Sequence, residues 1–117
     1  MPPEARVEHV AGWTVLAVAG ELDIYTAPRL REQILDLIND GQCHLVLHMD
    51  GVTFIDSTGL GVLIGALKRL RAQRGEIRVV ATVEPVLRTM RITGLHRVFT
   101  PYRSVAEAVA AQPVSVR

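Results

Sequence analysis

The chain reads as a single α/β domain, a mixed sheet of about five strands opened by an N-terminal hairpin and continued by parallel crossovers, with about four helices mainly on one face. Three observations predict it. Two strand-like runs near the start are separated only by Ala11 and Gly12, which is hairpin spacing. Beyond them strand-like and helical patterns alternate, and such alternation implies right-handed crossovers between parallel strands. The 117 residues are 49% hydrophobic and 21% charged, the balance of a chain that buries a core rather than one that stays disordered. A chain of this length buries roughly two thirds of its unfolded surface on folding, so one domain spanning residues 1–117 is expected.

Each element has its own local reason. Arg6 to Val10 and Trp13 to Ala19 form the hairpin. A first helix is expected from Ala27 to about Asn39, because Thr26 is a candidate N-cap, Pro28 is tolerated in a first turn, and Leu30, Ile34, Leu37 and Ile38 share a face. Gly41 closes it. The strand Cys43 to Met49 puts Cys43, Leu45, Leu47 and Met49 on one side and His44, Val46 and His48 on the other, which is expected to be only partly covered. A second helix, Thr58 to Arg74, aligns Leu60, Leu63, Ile64, Leu67 and Leu70. Lys68, Arg69, Arg71 and Arg74 suit the negative end of its dipole, and Gly75 is the expected stop. Ile77 to Ala81 follows as a strand, then a helix from Val83 to Thr93 that groups Val86, Leu87 and Met90 before Gly94. A short fifth strand is expected near Arg97 to Thr100. The last helix opens on the capping-box pair Ser104 and Glu107 and stops before Pro113. Only the short ends, MPP and QPVSVR, fall outside this pattern.

Composition excludes several classes. The N-terminus lacks the basic start and apolar stretch of a signal peptide, and no apolar run approaches the ~20 residues that span a bilayer, so a cytoplasmic location and no membrane partner are expected. The one cysteine, Cys43, cannot form an internal disulfide, and its apolar surroundings predict a buried, reduced thiol. Charge is asymmetric: up to Asp56 the chain carries nine acids against three arginines, and from Ser57 onward ten bases against three acids. The bases are scattered over helix faces without aromatic platforms, so solvated surfaces are expected and no direct nucleic-acid contact. His44 and His48 share a strand face but lie roughly 13 Å apart at strand rise, too far to hold one ion. No metal site is assigned.

The chemistry concentrates in the loops GELDIYT and DGVTFIDS. If the strands before them are parallel neighbours, Glu21, Asp23, Asp50 and Asp56 emerge together at the C-terminal edge of the sheet, where open α/β sheets meet their ligands. Asp56, Ser57 or Thr58 caps the second helix. One cap is sufficient, and three consecutive candidates leave hydroxyls available. Gly59, Gly61 and Gly65 each cost up to ~1 kcal/mol relative to alanine in a helix, a penalty explained by close approach of the protein's own sheet or of another chain. For Gly59 the other chain is the expected reason; for Gly61 and Gly65 both readings stand.

Three enzyme-like patterns compete for this stretch. A nucleophile elbow needs GxSxG, but Ile55 stands two before Ser57 and no histidine and acid complete a triad. GLGVLIG resembles a dinucleotide fingerprint with its third glycine one position late, after a strand expected to end near Met49. Asp23 and Asp56 together suit Mg²⁺, which leaves a nucleotide- or Mg²⁺-dependent phosphoryl-transfer enzyme as the alternative function.

GELDIYTAPRLREQI, LVLHMDGVTFIDSTGLGVLIGALKRLR and MRITGLHRVF, in this order, resemble the anti-sigma factor antagonist family, built on the STAS domain, over about Val7 to Ala111. The resemblance implies a partner-switching protein, not an enzyme. The unphosphorylated form binds an anti-sigma factor that is also a serine kinase and so frees the sigma factor; phosphorylation by that kinase ends the association, and a metal-dependent serine phosphatase restores it. Matched residue by residue, Ser57 takes the phosphoacceptor place, Thr58 is its neighbouring hydroxyl, and Asp23 corresponds to an acid at the partner surface. Glu21, Asp56, Gly59 and Gly61 complete the expected partner-binding set. No catalytic or cofactor-binding residue is implied, and monomer and weak dimer both stay open.

Overall fold

A computed structural model of the chain describes residues 4–111; the ends MPP and QPVSVR, with Pro113, lie outside the described residues. Strands β1 (Glu4–Val10), β2 (Trp13–Leu22), β3 (His44–Ile55) and β4 (Glu76–Val80) form one sheet in the order β1-β2-β3-β4. β1 and β2 pair antiparallel, and β2, β3 and β4 are parallel. Ala11 and Gly12 both take positive φ, at 51° and 84°, which is the two-residue turn that matches strand twist in a tight hairpin.

Helices α1 (Ala27–Asn39), α2 (Ser57–Ala72) and α3 (Glu84–Thr93) pack on one face of the sheet, over Leu16, Val18, Leu45, Leu47 and Met49. Leu30, Ile34 and Ile38 are the buried stripe of α1, and Gly41 (φ 89°) ends it. In α2 the buried set is Gly59, Leu60, Val62, Leu63, Ala66, Leu67 and Leu70, while Ile64, expected in the stripe, is exposed. Arg74 rather than Gly75 takes the left-handed conformation after α2; Gly75 is required because a Cβ there would run into the Cys43 carbonyl. Cys43 is half-buried, its thiol 3.3 Å from the Gly41 carbonyl, so the expected full burial does not occur.

The opposite face is covered by the short α4 (Val105–Ala110), which seats Ala108 on Val15, Val46 and Val80. Buried Arg78 holds it there. Its guanidinium bonds Glu76 at 2.6 Å, donates to the carbonyls of Ala108 and Ala111, and lies 4.3 Å over the Trp13 ring. His44 meets Trp13 edge-on and His48 faces Asp50, so each imidazole of this face has its own neighbour. Ser104 caps α4 through the Glu107 amide, as expected from the sequence.

Two further expectations are corrected. The fifth strand does not form: Gly94 turns left-handed (φ 77°) and Leu95–Arg97 wind into a 3₁₀ turn whose bonds, Val98 N–H to Leu95 O among them, occupy the amides locally. Pro101 then has no N–H to offer, and only Tyr102 bridges to Val80. β3, by contrast, runs on to Ile55 instead of stopping near Met49. Its Gly51, Val52, Phe54 and Ile55 pair with Ala19 to Leu22 of β2, and two register shifts absorb its surplus residues. Among the described residues no helix is long and apolar enough to cross a membrane.

Candidate functional site at the start of helix α2

The lengthened β2 and β3 end side by side, and the site is built where they stop. Leu22 stands opposite Ile55, and the Asp56 N–H donates to the Leu22 carbonyl at 3.1 Å, tying the loop before α1 to the first residue before α2. The C-terminal edge is therefore one surface contributed by both loops.

Of the three candidate caps, Asp56 is the one used. Its backbone is extended (φ −111°, ψ −172°), and Oδ1 accepts from the amides of Thr58 at 2.9 Å and Gly59 at 3.1 Å. Ser57 and Thr58, the first two helical residues, are exposed. Asp56→Ala is expected to cost about 1 kcal/mol in a denaturant titration, with Asp56→Ser recovering most of it; an unchanged midpoint would mean that the cap is dispensable.

Asp23 plays the matching part before α1. Its Oδ1 accepts from the amides of Tyr25 (2.9 Å) and Thr26 (3.0 Å) and from the Thr26 hydroxyl (3.1 Å). Desolvation pushes this carboxyl up, but the Thr26 and Tyr25 amides and the Thr26 hydroxyl outweigh it and hold its pKa below the ordinary value. Thr26, read as the N-cap of α1, makes no side-chain cap bond; its one hydroxyl proton lies between Asp23 Oδ1 and the Glu21 carbonyl, the nearer acceptor at 2.6 Å. Glu21 is exposed at the end of β2.

The acidic edge is smaller than its sequence suggested. Asp50 lies six residues before Asp56 on a continuous strand, roughly 20 Å away at strand rise. There it accepts from the Thr82 amide at 2.7 Å and pins the loop between β4 and α3. The edge around Ser57 thus holds Glu21, Asp23 and Asp56. Gly59, expected to face another chain, is buried: a Cβ would lie 2.9 Å from Ile55 Cγ1 and 3.0 Å from the Leu22 carbonyl oxygen. Its reason for being glycine is internal. Gly61 and Gly65 are exposed, and a Cβ at either would meet nothing within 4 Å.

Apolar residues that no periodicity flagged stand beside the acids. Tyr25 is 87% exposed, Ile24 62% and Phe54 47%. Phe54 pairs with Glu21 across the two strands, so these side chains belong to the same edge as Ser57. Exposed apolar groups clustered with polar ones mark surfaces that meet another molecule. The only hint in the sequence was IYT, an apolar pair inside an acidic loop.

The model of the STAS domain family matches residues 4–108. The chain belongs to that family. This STAS domain is 33% identical over 107 residues to the anti-sigma F factor antagonist of Paenibacillus polymyxa, covering 91% of this chain and 92% of that protein. It is 37% identical over 78 residues to the anti-sigma-B factor antagonist of Staphylococcus aureus strain NCTC 8325, 67% of this chain and 72% of that one. Among solved structures, an anti-sigma factor antagonist from Mycobacterium paratuberculosis superposes on the STAS domain with a TM-score of 0.84 at 31% identity, over 92% of this chain and 91% of the other. The four-helix, mixed-sheet architecture is thus the STAS fold, with four strands in place of about five.

Proposed function

We propose that the protein is an anti-sigma factor antagonist whose unphosphorylated form binds an anti-sigma factor serine kinase and releases the sigma factor, and that phosphorylation of Ser57 by that kinase switches the binding off. A serine phosphatase resets it. Two relatives that align with this chain carry antagonist names, which supports the partner class. The observation that carries the switch is the division of labour at the head of α2: Asp56 satisfies the amides, and the Ser57 hydroxyl stands exposed on the adjacent position. A phosphoryl group there adds roughly −1.5 to −2 charges at the positive end of a helix dipole, where the fold tolerates negative charge. Ser57 is a substrate in this reading, and the protein itself is not an enzyme. Glu21, Asp23, Asp56, Thr58 and Gly61 frame the contact, joined by Ile24, Tyr25 and Phe54. Buried Gly59 supports it from beneath.

Ser57→Ala is expected to keep the fold and the affinity for the kinase while abolishing phosphate incorporation. Label entering this variant would move the acceptor to Thr58 or another residue. The alternative, a nucleotide- or Mg²⁺-dependent phosphoryl-transfer enzyme, asks Asp23 and Asp56 to hold a cation, although one oxygen of each already binds backbone amides. Incubation with ATP and Mg²⁺ alone separates the two: turnover without a partner would favour the enzyme.

A further inference from the structure

We propose that the groove between α1 and α2 is the second half of the kinase-binding surface, and that it seats an acidic helix of the kinase. This rests on the antagonist reading and assigns it a place and a chemistry. Ser57, Gly61, Gly65 and Arg69 follow one another at four-residue spacing and so form one stripe along α2, about 18 Å from the phosphoacceptor position to the arginine. Gly61, Gly65 and Ala66 form part of a groove whose other side is α1, with Ile34 and Leu35 as its apolar wall. Arg31 on α1 and Arg69 on α2 flank it. Both are exposed, and neither forms an ion pair among the described residues.

The glycines are the anomaly that needs an occupant. Each lowers the stability of a helix interior by up to ~1 kcal/mol relative to alanine, and Gly59 shows what an internal reason looks like. At Gly61 and Gly65 none exists, because a Cβ would point into open space. A floor without side chains lets another backbone come close, as helices do when small residues line their contact. Two unneutralised guanidiniums on the rims select carboxylates on the incoming segment. Continuity with Ser57 makes this the same partner.

The test is a calorimetric titration of the kinase that labels Ser57 with the wild-type protein, Gly65→Leu, and the double variant Arg31→Glu/Arg69→Glu, each with its thermal midpoint. Gly65→Leu is expected to weaken binding at least about tenfold while its midpoint holds or rises, since a helix-interior glycine has been removed. A structural role would lower the midpoint instead. The double variant is expected to lose about thirtyfold or more at low salt and less at high salt. Wild-type affinity in both variants overturns the groove and leaves the antagonist reading standing. Loss in Gly65→Leu alone overturns the acidic occupant. If the wild-type protein binds no serine kinase, the antagonist reading fails and the groove with it.

Discussion

Phosphorylated at Ser57, the protein is expected to bind its kinase at least roughly a hundredfold more weakly than the unmodified form, with a thermal midpoint changed by only a few degrees. The two halves of this expectation have different origins. Stability is preserved because the modified residue is the first of α2 and is exposed, so the phosphoryl group reaches water and lies at the favourable end of the helix dipole. It displaces nothing, since the amides of Thr58 and Gly59 are already held by Asp56. Affinity is lost because the same charge falls beside the Asp56 carboxylate, on a surface that association must dehydrate. Like charges brought together at an interface cost several kcal/mol, and each ~1.4 kcal/mol is tenfold. Ser57→Asp carries one charge instead of nearly two and is expected to give a smaller loss in the same direction. Equal affinity of the two forms in a titration would remove the switch from this residue.

Gly59→Val is expected to be the most damaging single substitution at the site, at about 3 kcal/mol, or a midpoint lower by about 10 °C or more. Its Cβ would sit 3.0 Å from the Leu22 carbonyl oxygen and 2.9 Å from Ile55 Cγ1. The Ile55 side chain can rotate, but the carbonyl cannot, because it already accepts the Asp56 N–H that ties the two loops together. Moving it opens the edge on which Ser57 is mounted. Gly61→Ala is the control two positions further on, where a Cβ meets nothing within 4 Å and helix propensity alone predicts a gain of up to ~1 kcal/mol. If the two variants melt alike, the close contact under Gly59 does not exist.

These two glycines also show how far the sequence could be read. Both carry the same helix penalty and lie in the same motif, and the expectation that Gly59 faced outward was reversed by a carbonyl 37 residues earlier in the chain. The three consecutive cap candidates had the same difficulty. Any of them fits the spacing, and the choice of Asp56 depends on the backbone angle at which β3 delivers the chain into α2. The far end of β3 is hidden in the sequence because Asp50-Gly51 has the composition of a turn. The pairing that carries the strand through it comes from Ala19 to Leu22 of β2. Asp50 consequently left the acidic edge and became the anchor of the loop at Thr82, while Tyr25 and Phe54 entered a site that acids alone had defined.

What the sequence by itself determined was local. The hairpin at Ala11-Gly12, the apolar stripes of α1 and α2, the stop at Gly94, the cap at Ser104 and the placing of Ser57 at a helix start each depend on residues within a turn or two of one another. The tertiary structure decided everything that depends on two segments meeting: which acid caps α2, which glycine is packed and which is open, which carboxylates share an edge, and which arginines from separate helices line one groove. Periodicity and capping are properties of a single stretch of backbone. The crowding that would leave a Cβ at Gly59 only 3.0 Å from the Leu22 carbonyl oxygen exists only once the parallel strands have brought their ends together.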